Sequence, residues 1–143
     1  MEPVQIVIDT NVLVSALRSR RGASARLMRK IRDPRLQVNV SSALLLEYEA
    51  KLKEEMIRQG LSGLERVDRF LDELAAISNR RSIYFSFRVE QVHPGDAFIV
   101  DLAVASGARF VVSYNLRHLA GIRKFGKIPI RPGDFLRWLE AVQ

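Results

Sequence analysis

Residues 4–8, VQIVI, form a nearly unbroken apolar run that stops at Asp9. A strand with one wet face alternates apolar and polar side chains. A short run that does not alternate suits a parallel strand covered on both faces. Asp9, Thr10 and Asn11 follow, and apolar residues then return, which is the pattern of a strand-to-helix junction. A helix is expected from about residue 12 to 17, broken at Gly22 in "RSRRGAS". Ser24 is placed to cap a second helix that Pro34 ends. "LQVNV" (36–40) reads as the next strand, and Ser41 and Ser42 as caps of a long helix from about 43 to 58. Its inward side is Leu45, Tyr48, Leu52 and Met56, at helical spacing.

The alternation continues. "SGLE" (62–65) fits a capping box for a helix running to about Ile77. Its inward residues are Val67, Phe70, Leu71 and Leu74. "SIYFSF" (82–87) is expected as a strand, "HPG" (93–95) as a turn, and Asp96 as the cap of a helix ending at Gly107. "RFVVS" (109–113) is another buried strand, and "KIPI" (127–130) a short one that Pro129 assigns to a sheet edge. Asp134 is placed to cap the last helix. Strands alternating with helices throughout imply an α/β layered fold with a mainly parallel sheet. At 143 residues, without repeat or linker, residues 1–143 are expected to form one domain.

The net charge of +7 is concentrated. Residues 18–35 hold eight basic side chains against Asp33 alone, and the 15 basic residues elsewhere are balanced by 15 acids. Such a segment fits a polyanion such as nucleic acid, or equally a solvated helix face. No apolar run approaches the ~20 residues a membrane span needs. Glu2 and the early Asp9 argue against a signal peptide. The absence of cysteine excludes disulfides and thiolate metal sites and fits a reducing cytoplasm.

In open α/β sheets, ligands bind beyond the carboxyl ends of the strands, where strand order reverses. Asp9 follows the first strand directly, Asn115 follows "RFVVS" by two residues, and Asp96 opens the helix feeding that strand. Glu47 lies in the first two turns of the helix after the second strand. Two carboxylates ~4 Å apart repel by roughly 4 kcal/mol at an effective dielectric of ~20. Converging acids therefore need a cation, and an all-oxygen set points to Mg²⁺ or Mn²⁺. Each acid also has a plain reading: Asp9 and Asp96 as helix caps, Glu47 as one acid among several on a charged helix, with Glu49 nearer the Leu45/Leu52 face. No dinucleotide fingerprint, P-loop, zinc-type histidine spacing or serine elbow is present. The position two after Asp9 is Asn11, where an aspartyl-phosphate hydrolase needs a second acid.

Four segments, "IVIDTNVLVSAL", "SSALLLEYEAKL", "GDAFIVDLAVASGARFVVSYNLRHL" and "IPIRPGDFLRWL", together resemble the PIN-domain family over nearly the whole chain, especially its VapC-related toxin branch. The resemblance implies a three-layer α/β/α fold with a five-stranded, mainly parallel sheet. It also implies a metal-dependent ribonuclease. By position, Asp9, Glu47 and Asp96 would ligate Mg²⁺ or Mn²⁺ and prepare a water for in-line attack on RNA, leaving a 5′-phosphate and a 3′-hydroxyl. Asn11 would orient that water or a ligand, and Ser113 fills the family's small-hydroxyl position. Asp101, turned about 140° from Asp96 on its helix, is expected as a supporting or surface residue. Where many members carry a fourth acid, this chain has Asn115 and His118. An amide oxygen ligates Mg²⁺ without adding charge. The basic segment, with Arg18, Arg20, Arg21 and Arg26, would guide RNA toward the acids. An antitoxin would cover or enter the acidic cleft, and a homodimer is expected by analogy. The alternatives are a non-catalytic RNA-binding module on the same fold and a small phosphatase-like hydrolase.

Overall fold

The computed structural model describes residues 2–84 and 92–142. Five parallel strands are seen among them: β1 (Val4–Ile8), β2 (Leu36–Val40), β3 (Asn79–Arg80), β4 (Phe110–Val112) and β5 (Ile128–Ile130), in the order β3-β2-β1-β4-β5. β1 is central. Ile6 pairs with Val38 on one side and Phe110 on the other. Ile6, Val7 and Ile8 are at most 1% exposed, so both faces are covered and the non-alternating run is explained.

The helices are α1 (Thr10–Arg18), α2 (Ala23–Lys30), α3 (Ser42–Arg58), α4 (Glu65–Ile77), α5 (Ala97–Ser106) and α6 (Pro132–Ala141). The chain steps outward from β1 to β2 to β3, then crosses back to β4 on the far side of β1. Right-handed crossovers therefore put α1–α4 on one face and α5 on the other. The resulting α/β/α arrangement is the one expected. Gly107 ends α5 at φ +68°, a left-handed conformation that glycine adopts without Cβ strain. Strand order reverses between β1 and β4, so the crevice beyond their carboxyl ends is where a ligand site should form. There the Asp9 N–H donates to the Val112 carbonyl at 2.8 Å, carrying the pairing one residue past β1.

Several local expectations are corrected. α1 starts at Thr10, two residues early, because the Asp9 side chain caps it by accepting from the Thr10 N–H. Gly22, not Ser24, is the N-cap position of α2, and the Ser24 hydroxyl bonds Tyr114 instead. The α3 face is led by buried Leu44, with Leu45 half-buried. No capping box forms at 62–65: Leu64 precedes α4 without a side-chain cap, and the Arg66 guanidinium takes the Ser62 carbonyl. Asp134 lies inside the first turn of α6, paired with Arg137, because Pro132 already begins that helix. Residues 82–84 are not in a strand; the pairing segment lies earlier, at Asn79–Arg80, and residues 85–87 of that expectation lie outside the described residues.

Candidate functional site

Asp9 stands at the end of β1, 4% exposed, with nearly every lone pair of its carboxylate engaged. Its Oδ1 accepts from the Thr10 N–H at 2.8 Å. Its Oδ2 accepts from the Ser113 hydroxyl at 2.7 Å and the Asn11 amide at 3.3 Å. Ser113, buried just past β4, has one hydroxyl proton and two lone pairs. The proton goes to Asp9, and the lone pairs receive Asn11 Nδ2 at 3.2 Å and the Asn115 N–H at 2.9 Å. Asn11 is fixed in turn, because its Oδ1 accepts from the Tyr114 N–H at 3.1 Å, which leaves its NH₂ for Asp9 and Ser113. The two central strands thus lock Asp9 in place from both sides of the switch point.

Glu47 joins through Thr10, whose hydroxyl donates to Glu47 Oε2. Beneath them Tyr48 is fully buried and donates its hydroxyl to the Ile8 carbonyl. Burial, then the charges of Asp9 and Glu47, push the Tyr48 phenol well above its ordinary value, so it stays a neutral donor. Glu49, favoured by the helical wheel, instead pairs with Lys53 at 3.0 Å. Asp96 ends a 3₁₀ turn (Pro94–Asp96) and sits at the N-cap position of α5, yet its side chain makes no capping bond. The carboxylate instead lies 3.8 Å from His118 Nδ1, and the His118 ring stacks on His93 with centroids 5.0 Å apart. Burial raises the Asp96 carboxyl, and the two imidazoles oppose that.

The electrostatics tie the acids together. Asp9 is raised to about 6, first by burial. The Ser113 hydrogen bond opposes this, and the negative charges of Asp96 and then Glu47 add to it. Acids remote in sequence therefore act on one carboxyl. Among the described residues no group of three or more His, Cys, Asp or Glu side chains is already drawn into metal-holding geometry. The fit is one of donor chemistry: hard oxygens, surplus negative charge, and a carboxyl that resists ionising without a cation. Mg²⁺ needs only one or two protein carboxylates and keeps several waters.

Other expected residues fall further out. Asn115 meets the cluster through its backbone N–H. Asp101 is buried in α5, which excludes the surface reading. Arg18 does not join the acids. It ends α1, roughly 13 Å along the axis from Asp9, and pairs with buried Glu55 at 2.9 Å. Arg20, Arg21 and Arg26 are exposed around the start of α2. The site roles of Thr10, Tyr48 and Tyr114 are not read from the sequence, where Tyr48 counts only as an inward residue of its helix. Thr10 alone had a signal, since a hydroxyl between the acid and the amide at a strand end is placed to reach a neighbour.

A family model described as a PIN domain matches residues 5–117, and the chain belongs to the PIN-domain family. Among solved structures, a chain of VapBC-1 from nontypeable Haemophilus influenzae shares the fold, with a TM-score of 0.57 and 15% identity. The match covers 91% of this chain and 99% of that one. No curated protein sequence matches the chain.

Proposed function

We propose that this protein is a divalent-cation-dependent endoribonuclease, the toxin half of a toxin–antitoxin pair, acting in the cytoplasm as one domain over residues 1–143. The observation that carries the reading is the geometry at the end of β1: Asp9 is held by Thr10, Ser113 and Asn11 and linked through Thr10 to Glu47, with Asp96 close enough for its charge to act on the same carboxyl. Mg²⁺ or Mn²⁺, when bound, would supply compensating charge and make a water more acidic, so that a neighbouring carboxylate could take its proton as it attacks. Asp9, Glu47 and Asp96 would hold it. Thr10 steadies Glu47, and Ser113 and Asn11 keep the Asp9 oxygens from turning away. Asn115 fixes the Ser113 lone pairs through its backbone. Exposed Arg20, Arg21 and Arg26 would contact the phosphates of the RNA, a sequence-independent attraction that weakens with salt.

The antitoxin part of the reading draws on the VapBC-1 likeness and on a second feature. A cleft of about 580 Å³ lies among α1–α4. Leu13, Leu17, Met28, Met56 and Phe70 line it, and Arg18, Arg20 and Arg66 stand at its polar edge. An apolar segment with acidic flanks, carried by an antitoxin, suits that lining. A homodimer, proposed by analogy, is read by light scattering. Among the described residues no helix is long and apolar enough to cross a membrane.

The test is incubation of the purified protein with end-labelled single-stranded RNA and Mn²⁺. Cleavage to 5′-phosphate products, lost in Asp9→Asn and Asp96→Asn, supports the reading. Binding without cleavage under any divalent cation would leave a non-catalytic RNA-binding module. Turnover of small phosphate esters with RNA untouched would leave a phosphatase-like hydrolase.

A further inference from the structure

We propose that Tyr114 is a platform on which a base of the RNA substrate stacks beside the acids, an inference that rests on the nuclease reading. The ring is attached to the site by a short path. The Tyr114 N–H donates to Asn11 Oδ1 at 3.1 Å, and the Asn11 amide reaches Asp9 Oδ2 at 3.3 Å. Its other end is pinned as well: the phenol oxygen lies 2.7 Å from the hydroxyl of Ser24, which is 1% exposed. That contact takes up the hydroxyl that the sequence had offered as a helix cap.

Held at both ends, Tyr114 is still 39% exposed. It lies outside the main apolar core, and among the described residues no other ring stacks on it. An open aromatic surface with its rotamer already fixed is suited to binding, because little further ordering is needed. Exposed Arg20 and Arg21 precede Ser24 by four and three residues, whereas Arg26 is turned about 200° from Ser24 on α2, so Arg20 and Arg21 are the guanidinium groups offered to the phosphates flanking a stacked base. Aromatic face, guanidinium groups and a carboxylate cluster match the three parts of a single-stranded nucleotide: base, phosphate, and the bond to be cut. A stacked base would hold the adjacent phosphate over Asp9. Tyr114 is thus assigned to substrate binding, with its main effect on KM.

The test uses the full-length protein, a single-stranded RNA carrying one 2-aminopurine, and the variants Tyr114→Leu, Tyr114→Phe and Ser24→Ala. The wild type should quench the 2-aminopurine on binding. Tyr114→Leu should lose the quench and raise KM by roughly tenfold, with kcat within about twofold. Tyr114→Phe should keep the quench, because the ring remains. Ser24→Ala should give a smaller rise in KM, because the ring is less fixed. A wild type that cleaves the RNA while Tyr114→Leu matches it in KM and quench overturns the stacking proposal alone. The same holds if Tyr114→Leu lowers kcat and leaves KM unchanged. A wild type that neither binds nor cleaves RNA overturns the nuclease reading and this inference together. Displacement of the RNA by an antitoxin with the quench unchanged in Tyr114→Leu would assign the ring to the protein partner instead.

Discussion

Replacing Asp9 with asparagine should stabilise the cation-free protein while removing its activity. Asp9 is buried, and its carboxyl is raised from 3.8 to about 6. Between about pH 4 and 6 the folded chain holds a proton that the unfolded chain has released. Wild-type stability therefore falls as pH rises through that window and stays low above it. A gap of about two units, at about 1.4 kcal/mol each, amounts to about 3 kcal/mol at pH 7.5. Asparagine is nearly isosteric with the protonated acid, but its NH₂ cannot accept from Thr10, Ser113 or Asn11 as a carboxylate oxygen does, so a lost hydrogen bond of about 1–1.5 kcal/mol leaves a net gain of about 1.5–2 kcal/mol. For a chain of this size the gain corresponds to a Tm higher by roughly 3–8 °C. The assay is thermal and urea unfolding in EDTA at pH 7.5 and pH 4. The gain should be near full at pH 7.5 and nearly absent at pH 4. A variant no more stable than wild type at pH 7.5, or a gain that does not shrink on acidification, would refute the reasoning.

Further outcomes follow from the same contacts. Ser113→Ala removes the hydrogen bond that lowers the Asp9 carboxyl and leaves the Asn11 and Asn115 donors without their acceptor. It should lose about 1–3 kcal/mol in urea unfolding, and the acid limb of the cleavage pH profile should move upward. Tyr48→Phe deprives the Ile8 carbonyl of its buried partner and should lose about 1–2 kcal/mol by the same measurement. Glu55 is lowered from 4.5 to about 2, first by Arg58 and then by Arg18 and Gln59. Its stabilisation is present above about pH 4.5 and is lost as pH falls toward 2, so Glu55→Gln should flatten the acid arm of a Tm–pH curve.

Strand and helix order was legible because the apolar runs are long and their period changes from strand to helix. VQIVI declares a central strand by failing to alternate. The misses are local signals overridden by distant partners. Ser24 looks like a cap, but Tyr114, 90 residues away, takes its hydroxyl. Ser62 and Glu65 look like a capping box, but the Arg66 side chain reaches the Ser62 carbonyl instead. The two-residue strand Asn79–Arg80 is too short to have a period, and the nearby apolar stretch at 82–87 carries the stronger strand signal. The candidate acids were named by position through the family resemblance; spacing did not single out Glu47 over Glu49. What binds them to one another, the Thr10 hydroxyl and the Ser113–Asn11 lattice, joins residues up to 104 apart in sequence, and no local pattern announces it.

The central claim is that one cation joins carboxylates in a site where burial first, and then the negative charges of Asp96 and Glu47, keep Asp9 partly protonated. Binding must then expel that proton. Isothermal titration of the cation-free protein with Mn²⁺ at pH 6, repeated in buffers of different ionisation enthalpy, counts the protons released. About half a proton per Mn²⁺ is predicted at pH 6, approaching none at pH 8 and vanishing in Asp9→Asn. Mn²⁺ binding that releases no proton at pH 6, or that Asp9→Asn leaves unchanged, would contradict the account.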